Sequence, residues 1–325
     1  MSRSGTSLPK PVPIAGDPRL AAMREEIAAG LVRGQAHIPP KYFYDALGSK
    51  LFEAICELDE YYLTRTEAEI FQTFEAEIAR CCGSAVTLID LGAGNCAKAA
   101  RLFASLRPAQ YVPLDISAEF LAHSILPLQA RHPELDILPL AADFSERLFL
   151  PARVRRNRRL FFYPGSSIGN FSPLQALQFL KNVRNACLEP EAGLLIGVDL
   201  VKDPDELVAA YDDALGVTAA FNRNILRHAN QILGADFALA GWRHQAAYKS
   251  EPGRIEMRLM AIADTRVAWP GGGRTFTAGE TIHTENSYKY RKEQFLELLG
   301  EAGFGDAACW TDEKARFLVC HARAV

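Results

Sequence analysis

Apolar runs recur along the middle of this chain and alternate with stretches of helical spacing. Val86 to Leu91 is the first, Gln110 to Asp115 the second and Asp136 to Phe144 the third. Arg159 to Tyr163 and Gly193 to Asp199 follow. Continuous apolar runs, rather than alternating ones, are what strands buried on both faces require. Between them Ala97–Leu106, a capped stretch beginning at Ile116, and Pro173–Cys187 carry the spacing of helices. Strand–helix alternation of this length predicts an α/β fold with a doubly wound parallel sheet.

The flanks read differently. Residues 1 to 17 are rich in Ser, Pro and Gly and predict a loose tail. Pro18–Leu31 places Leu20, Met23, Ile27 and Leu31 on one helical face. Pro39–Pro40 stops any helix, and Gly48-Ser49 offers a cap for one over Lys50–Cys56. The threonines after Tyr61-Tyr62 can cap a helix from Thr66 to Cys81. From Val201 the rhythm breaks: Asp205–Leu215 and Ala219–Leu233 read as helices and Tyr248 to Val267 as antiparallel strands. A final helix over Lys292–Ala302 and two strands, Ala307–Thr311 and Arg316–His321, close the chain.

The candidate chemistry gathers around Leu88-Ile89-Asp90-Leu91-Gly92-Ala93-Gly94-Asn95-Cys96-Ala97-Lys98. A strand turning through two glycines into a helix is expected to present unpaired backbone N–H groups, and the missing side chains let a ligand approach the main chain. Gly92-x-Gly94-x-x-Ala97 also satisfies the relaxed dinucleotide pattern, and a turn without any ligand is the plainest alternative. Asp90 discriminates: a carboxylate there repels a pyrophosphate and suits a cationic ligand or one offering N–H or hydroxyl donors. Asp115 ends the second run about 20 residues past the glycines, where an acid suits the two hydroxyls of an adenosine ribose. Asp143 ends the third run and Asn170 follows the fourth. These groups share the carboxyl ends of the strands, where open α/β sheets bind ligands.

Composition removes several classes. The 325 residues carry a net charge of −3, which argues against a nucleic-acid partner. The basic run Arg153–Arg159 precedes a buried strand without interleaved aromatics and reads as a solvated loop. Seven cysteines without a C-x-x-C pair make neither a zinc framework nor a disulfide scaffold, so a reducing cytoplasm is expected. No run has membrane length. Four aromatics, Tyr42, Phe43, Tyr44 and Phe52, then Tyr61 and Tyr62, precede the glycine loop and could form core or line a pocket for a small polar ligand.

The acid before the glycines, the acids ending strands two and three and the terminal helix–hairpin favour S-adenosylmethionine over a nicotinamide cofactor. They suit a Rossmann-like class I methyltransferase sheet whose last strand is inserted antiparallel. Residues 201–289 then read as an insertion that joins residues 18–65 in a smaller α+β substrate-binding lid, with 66–200 and 290–325 forming the methyltransferase domain. Transfer to nitrogen rests on positioning an unprotonated amine, which fits tyrosines, an Asn and a carboxylate without a metal-ligand cluster. A dehydrogenase stays open at this level.

Longer motifs narrow the choice. Pro39-Pro40-Lys41-Tyr42-Phe43-Tyr44-Asp45, Glu60 to Glu67, Gly165-Ser166-Ser167-Ile168-Gly169-Asn170, Asp199 to Asp203, Tyr211 to Asn222, Arg254 to Met257 and Thr284-Glu285-Asn286-Ser287 occur in order. Together they closely resemble the L-histidine Nα-methyltransferase family of ergothioneine biosynthesis, from about residue 20 to the end. The resemblance implies trimethylation of histidine to hercynine by three molecules of S-adenosylmethionine, in a monomer. It implies that Tyr61, Asn170 and Tyr211 hold the substrate carboxylate and that Glu285 and Ser287 read the imidazole. Tyr44 and Phe52 would wall the amine, Tyr44 as the catalytic residue, with Met257 nearby. Asp90, Gly92, Gly94, Lys98, Asp115, Asp143 and Phe144 would form the cofactor side. Asn95-Cys96-Ala97 departs from the commoner form of the loop. A relative acting on another amino acid such as tryptophan would have less purpose for Glu285, and a non-enzymatic binder need not keep the tyrosines.

Overall fold

The computed structural model describes residues 18–144, 148–189 and 191–325. The tail expected over residues 1–17 lies outside them. Seven strands form the larger sheet, in the spatial order Leu140–Ala141, Gln110–Asp115, Thr87–Leu91, Arg159–Tyr163, Gly193–Asp199, Phe317–Ala324, Phe304–Thr311. Counted along the chain within this sheet, the order is 3-2-1-4-5-7-6. The first five are parallel, and Phe317–Ala324 runs antiparallel to both its neighbours. That order, with the seventh strand inserted antiparallel, is the class I methyltransferase sheet. Every residue of Thr87–Leu91, Arg159–Tyr163 and Gly193–Asp199 is buried, as strands covered by helices on both faces must be. The order reverses between the first and fourth strands, and the crevice at their carboxyl ends is the topological switch point.

A second sheet holds Ala36–His37, Thr281–Tyr288, Arg254–Ala261 and Trp242–Lys249, antiparallel except at its short first pair. Thr265–Trp269 and Gly272–Phe276 form a separate hairpin. The Val217–Leu233 helix packs on the second sheet and on the Ala46–Cys56 helix, burying Phe221, Ile225, Leu226, Ala229, Ile232 and Leu233. Asp213 anchors its start by accepting from the N–H groups of Val217 and Thr218 at 2.9 and 2.7 Å.

Several local expectations are corrected. The helix from Ala46 is capped by Asp45, whose Oδ1 accepts from the Gly48 N–H at 2.7 Å, not by Gly48-Ser49. The expected Thr66–Cys81 helix is two, Tyr62–Thr73 and Glu75–Cys82, divided at Phe74, and Thr66 is buried inside the first. Ala97–Leu106 breaks at Leu102, and Asp205–Leu215 shrinks to Pro204–Ala209. The third run forms a strand only at Leu140–Ala141, because Pro139 carries no N–H for the ladder. The antiparallel strands expected over Tyr248 to Val267 begin at Trp242 and continue beyond Val267 through Gly272–Phe276 and Thr281–Tyr288. Arg159 does not belong to a solvated loop: its buried guanidinium donates to the carbonyls of Arg155 and Ala186 at 2.9 Å each. All seven cysteines are free thiols. Among the described residues no helix is long and apolar enough to cross a membrane.

Candidate active site

A cavity of about 1250 Å³ opens at the switch point, between the glycine loop and the second sheet. Its cofactor-side wall includes Asp90, Gly92, Gly94, Lys98, Asp115, Asp143 and Phe144, and its far wall Tyr44, Phe52, Tyr61, Asn170 and Glu285. Twelve of the fifteen residues singled out in the sequence therefore meet in one space.

The loop works differently from the expectation. Gly92 and Gly94 have φ of +75° and +54°, so a side chain at either would be strained. Their N–H groups are not left for a ligand. Those of Gly92 and Ala93 donate to the Leu114 carbonyl, each at 2.9 Å, and that of Gly94 donates to Asp115 Oδ2 at 2.9 Å. Asp115 Oδ1 accepts from the Ser117 N–H at 2.9 Å. Asp115 thus pins the loop as well as facing the cavity, and burial raises its carboxyl above the ordinary range despite these bonds. What the loop offers a ligand is a surface free of side chains, flanked by carboxylates.

Asp90 has one satisfied oxygen and one orphan. Oδ2 accepts from the Tyr111 hydroxyl at 2.7 Å, whereas Oδ1 is buried without a partner. Burial pushes this carboxyl up to about 7, against the lowering effect of Tyr111. A buried acceptor of this kind beside a cavity fits a ligand amino group or hydroxyl. The residues present therefore suit S-adenosylmethionine, which carries a cationic amino group and ribose hydroxyls, and suit a pyrophosphate poorly. Phe144 packs edge-on against Tyr163 and closes the floor by Gly92.

Lys98 is held away from a free role: its Nζ meets Glu67 Oε2 at 2.6 Å, while Glu67 Oε1 accepts from the Gly165 N–H at 2.7 Å. Glu67, 1% exposed, was missed as a site residue although it ends a quoted motif. It ties the helix before the loop to the turn after the fourth strand. Lys41 pairs with Asp143 at 3.2 Å and with Glu26 at 2.9 Å, and the Asn95 amide donates to Glu53 at 2.9 Å. These links join the N-terminal segment to the cofactor side.

On the far wall the rings of Tyr44 and Phe52 lie 5.8 Å apart, edge to face, and Phe52 to Tyr61 is 6.1 Å. Phe221, which falls within the Tyr211–Asn222 motif with no role attached, lies 5.9 Å from Tyr44 and 6.0 Å from Phe52. Burial, then the acids Glu285 and Asp115, hold the Tyr44 phenol well above its ordinary range. It stays protonated at neutral pH and cannot serve as a general base. Glu285 is 8% exposed and makes no hydrogen bond or ion pair through its carboxylate among the described residues. Burial pushes it up to about 8, against a smaller pull from the Lys289 cation.

Tyr211, Met257 and Ser287 do not line the cavity. The Tyr211 and Ser287 hydroxyls lie 2.7 Å apart, and each accepts from Lys289 Nζ, at 3.0 and 2.8 Å. The Tyr211 ring backs Tyr61 at 6.2 Å. Met257 is buried opposite Glu285 in the ladder. Lys289 also meets Asp199 Oδ2 at 2.8 Å; Asp199 Oδ1 takes Lys202 at 2.6 Å. Tyr62 donates to this carboxylate at 2.9 Å. In the sequence Asp199 is a strand end and the start of the Asp199–Asp203 motif, with no role attached.

The sheet order, the acid-flanked glycine loop and the aromatic wall define a class I methyltransferase. The chain belongs to the histidine-specific, S-adenosylmethionine-dependent methyltransferase family, whose model matches residues 23–324. It is 42% identical over 310 residues to a histidine N-alpha-methyltransferase of Mycolicibacterium smegmatis, covering 94% of this chain and 95% of that one. A histidine N-alpha-methyltransferase of Mycobacterium tuberculosis is 41% identical over 303 residues, covering 91% and 93%. Ergothioneine biosynthesis protein 1 of Neurospora crassa is 33% identical over 287 residues, 86% of this chain and 32% of the longer fungal protein.

Proposed function

We propose that this enzyme methylates the α-amino group of L-histidine three times with S-adenosylmethionine, giving hercynine for ergothioneine biosynthesis. Bound at the loop, the cofactor supplies an electrophilic methyl group on a sulfonium. Asp90 Oδ1 would take its amino group and Asp115 its ribose hydroxyls, with Phe144 beneath. Residues 18–65 with 201–289 act as the substrate lid over the sheet domain of residues 66–200 and 290–325. The observation that carries the choice of histidine is Glu285, a buried carboxyl with no partner in the cavity wall. A polar group left unpaired in a pocket has a penalty that a matching ligand removes.

Tyr61 and Asn170 would receive the substrate carboxylate, with Tyr211 behind them. The amine then sits among Tyr44, Phe52 and Phe221. In the first two rounds Tyr44, kept protonated, would accept from an amine N–H and leave the lone pair in line with the methyl; the dimethylated amine has no N–H and is held by the ring walls alone. The amine nitrogen forms the new N–C bond as the S–C bond breaks, and the proton left on nitrogen passes to solvent before the next round. The electron-rich ring faces tolerate the growing ammonium and hold the final quaternary cation, an interaction of roughly 0.5–2 kcal/mol per ring. Incubation with S-adenosylmethionine and a panel of free amino acids, followed by mass spectrometry, tests this reading. Histidine should gain three methyl groups; methylation of another amino acid in preference would overturn it.

A further inference from the structure

Behind the proposed substrate carboxylate position lies a buried charge cluster that the reaction scheme does not use. Asp199 is 0% exposed, Lys289 5%, and the Lys202 side chain 7%. Two ammonium groups, Lys202 and Lys289, meet this one carboxylate. Glu206 faces Lys202 and meets Arg316 at 3.7 Å, and Arg316 is held closer by Asp312 at 3.0 Å, so the wider cluster balances its formal charge. Glu285 lies within the field of Lys289, but burial keeps its carboxyl mostly neutral at pH 7. Asp199 holds the buried Lys289 in its charged form, and an anion that can reach the field of such an ammonium is stabilised by it.

The protons define a direction. Lys289 has three, and they go to Asp199, Tyr211 and Ser287. Both hydroxyls therefore accept from the ammonium. One hydroxyl proton bridges their 2.7 Å gap and the other is left to donate outward. The pair adjoins the Ser167–Asn170 turn: a Cβ on Gly169 would come within 2.7 Å of the Tyr288 carbonyl and 3.5 Å of Ser287 Oγ. Asn170 and Tyr61, which line the cavity, are its immediate neighbours.

We propose that Lys289 is a specificity-determining positioning residue, supplying through the Tyr211–Ser287 hydroxyl pair the counter-charge for the α-carboxylate of the substrate and so selecting amino acids over the corresponding amines. This rests on the reading that the carboxylate lies against Tyr61 and Asn170, with Tyr211 behind them. Asp199 holds Lys289 from the sheet side, so the selecting charge belongs to the same scaffold as the switch point.

The test compares kcat/KM for histidine and for histamine, which lacks only the carboxylate, in the wild type, Lys289→Met, Tyr211→Phe and the double variant. Circular dichroism and calorimetric binding of S-adenosylhomocysteine check folding and the cofactor side. The wild type should favour histidine by at least about 100-fold. Lys289→Met should lose about 100-fold on histidine, chiefly through KM, with histamine far less affected, and Tyr211→Phe should add little to it. Equal losses on both substrates, or strictly additive effects, would overturn the role of Lys289 alone. A wild type that does not discriminate would overturn the carboxylate placement and the inference with it. If Lys289→Met does not fold, the pair Tyr211→Phe with Ser287→Ala removes the relay instead. A loss confined to histidine then supports the proposal, and an equal loss or none refutes it.

Discussion

Replacing Glu285 by Ala is the sharpest test of why this pocket suits histidine. The carboxyl is 8% exposed, and its rise from the ordinary 4.5 to about 8 means that ionising it in the empty pocket costs about 5 kcal/mol, at 1.36 kcal/mol per unit. It therefore waits as a neutral acid with a proton to share. An imidazole, with an ordinary pKa of about 6.5, can accept that proton or lie against the acid with its own N–H. Either arrangement is a strong buried hydrogen bond. Truncation leaves the ring nitrogen unpaired and should cost about 2–4 kcal/mol, or roughly thirty- to a thousand-fold in kcat/KM for histidine. Tryptophan brings a larger ring and one neutral N–H, so the vacated space should leave its methylation much less reduced, or raised. The assay is kcat/KM for both amino acids in wild type and Glu285→Ala. Equal loss on both would mean that Glu285 supports the fold or the cofactor. A surface pairing with Lys289 is not the explanation, because Lys289 is buried and bound to Asp199.

The same carboxyl should shape stability against pH. A folded pKa raised to about 8 gives a contribution present in full below about 4.5 and lost as pH rises to about 8, so Glu285→Gln should be the more stable protein above pH 8, with the difference fading toward pH 4.5 in thermal unfolding scans. At Asp90, held near 7, a cationic amino group favours the ionised form; cofactor binding near pH 7 should release a proton, and a binding enthalpy that does not vary with buffer ionisation enthalpy would contradict this. Asp115→Ala should lower cofactor affinity roughly ten- to a hundred-fold by calorimetry, since both its oxygens and the Gly94 pin are lost. Gly48→Ala would set a Cβ 1.7 Å from the Phe43 carbonyl oxygen, so denaturant unfolding should show a loss of at least about 2–3 kcal/mol.

What could be read from the sequence follows the range of the interactions. The five parallel strands are continuous apolar runs, a local signal, and each was placed to within a few residues except the third, where Pro139 interrupts pairing. Asp90 and Asp115 were marked because strand ends and glycines fix their position along the chain. Helix boundaries failed where a single residue decides them: Asp45 starts the Ala46–Cys56 helix from outside any expected cap, and Phe74 divides another. The loop amides were misjudged because their acceptor, the Leu114 carbonyl, lies on the neighbouring strand. Lys289 and Phe221 have no local signature at all. One reads as a surface lysine and the other as a core aromatic until the second sheet and its helix set Lys289 behind the cavity wall and Phe221 against its aromatic rings.

The placement of charge also explains how one cavity can serve two charged ligands. Three of the acids that line it, Asp90, Asp115 and Glu285, have their carboxyls raised by burial, so each takes up a proton more readily than an exposed carboxyl would. Basic groups are kept apart from them. Lys98 is tied to Glu67, and Lys202 and Lys289 are drawn behind the wall onto Asp199. On the proposed reading a cationic cofactor and an imidazole would meet carboxyls that can ionise as they arrive, whereas an α-carboxylate would meet Asn170, Tyr61 and the field of the buried lysines. On that reading the amine, the one group that must stay neutral to react, would be left against Tyr44 and Phe52, with Phe221 packed behind them and no carboxylate salt bridge to trap its proton. Separating ion recognition from the reacting nitrogen in this way would let the same aromatic wall accept a neutral amine at the start of each round and release a quaternary cation at the end.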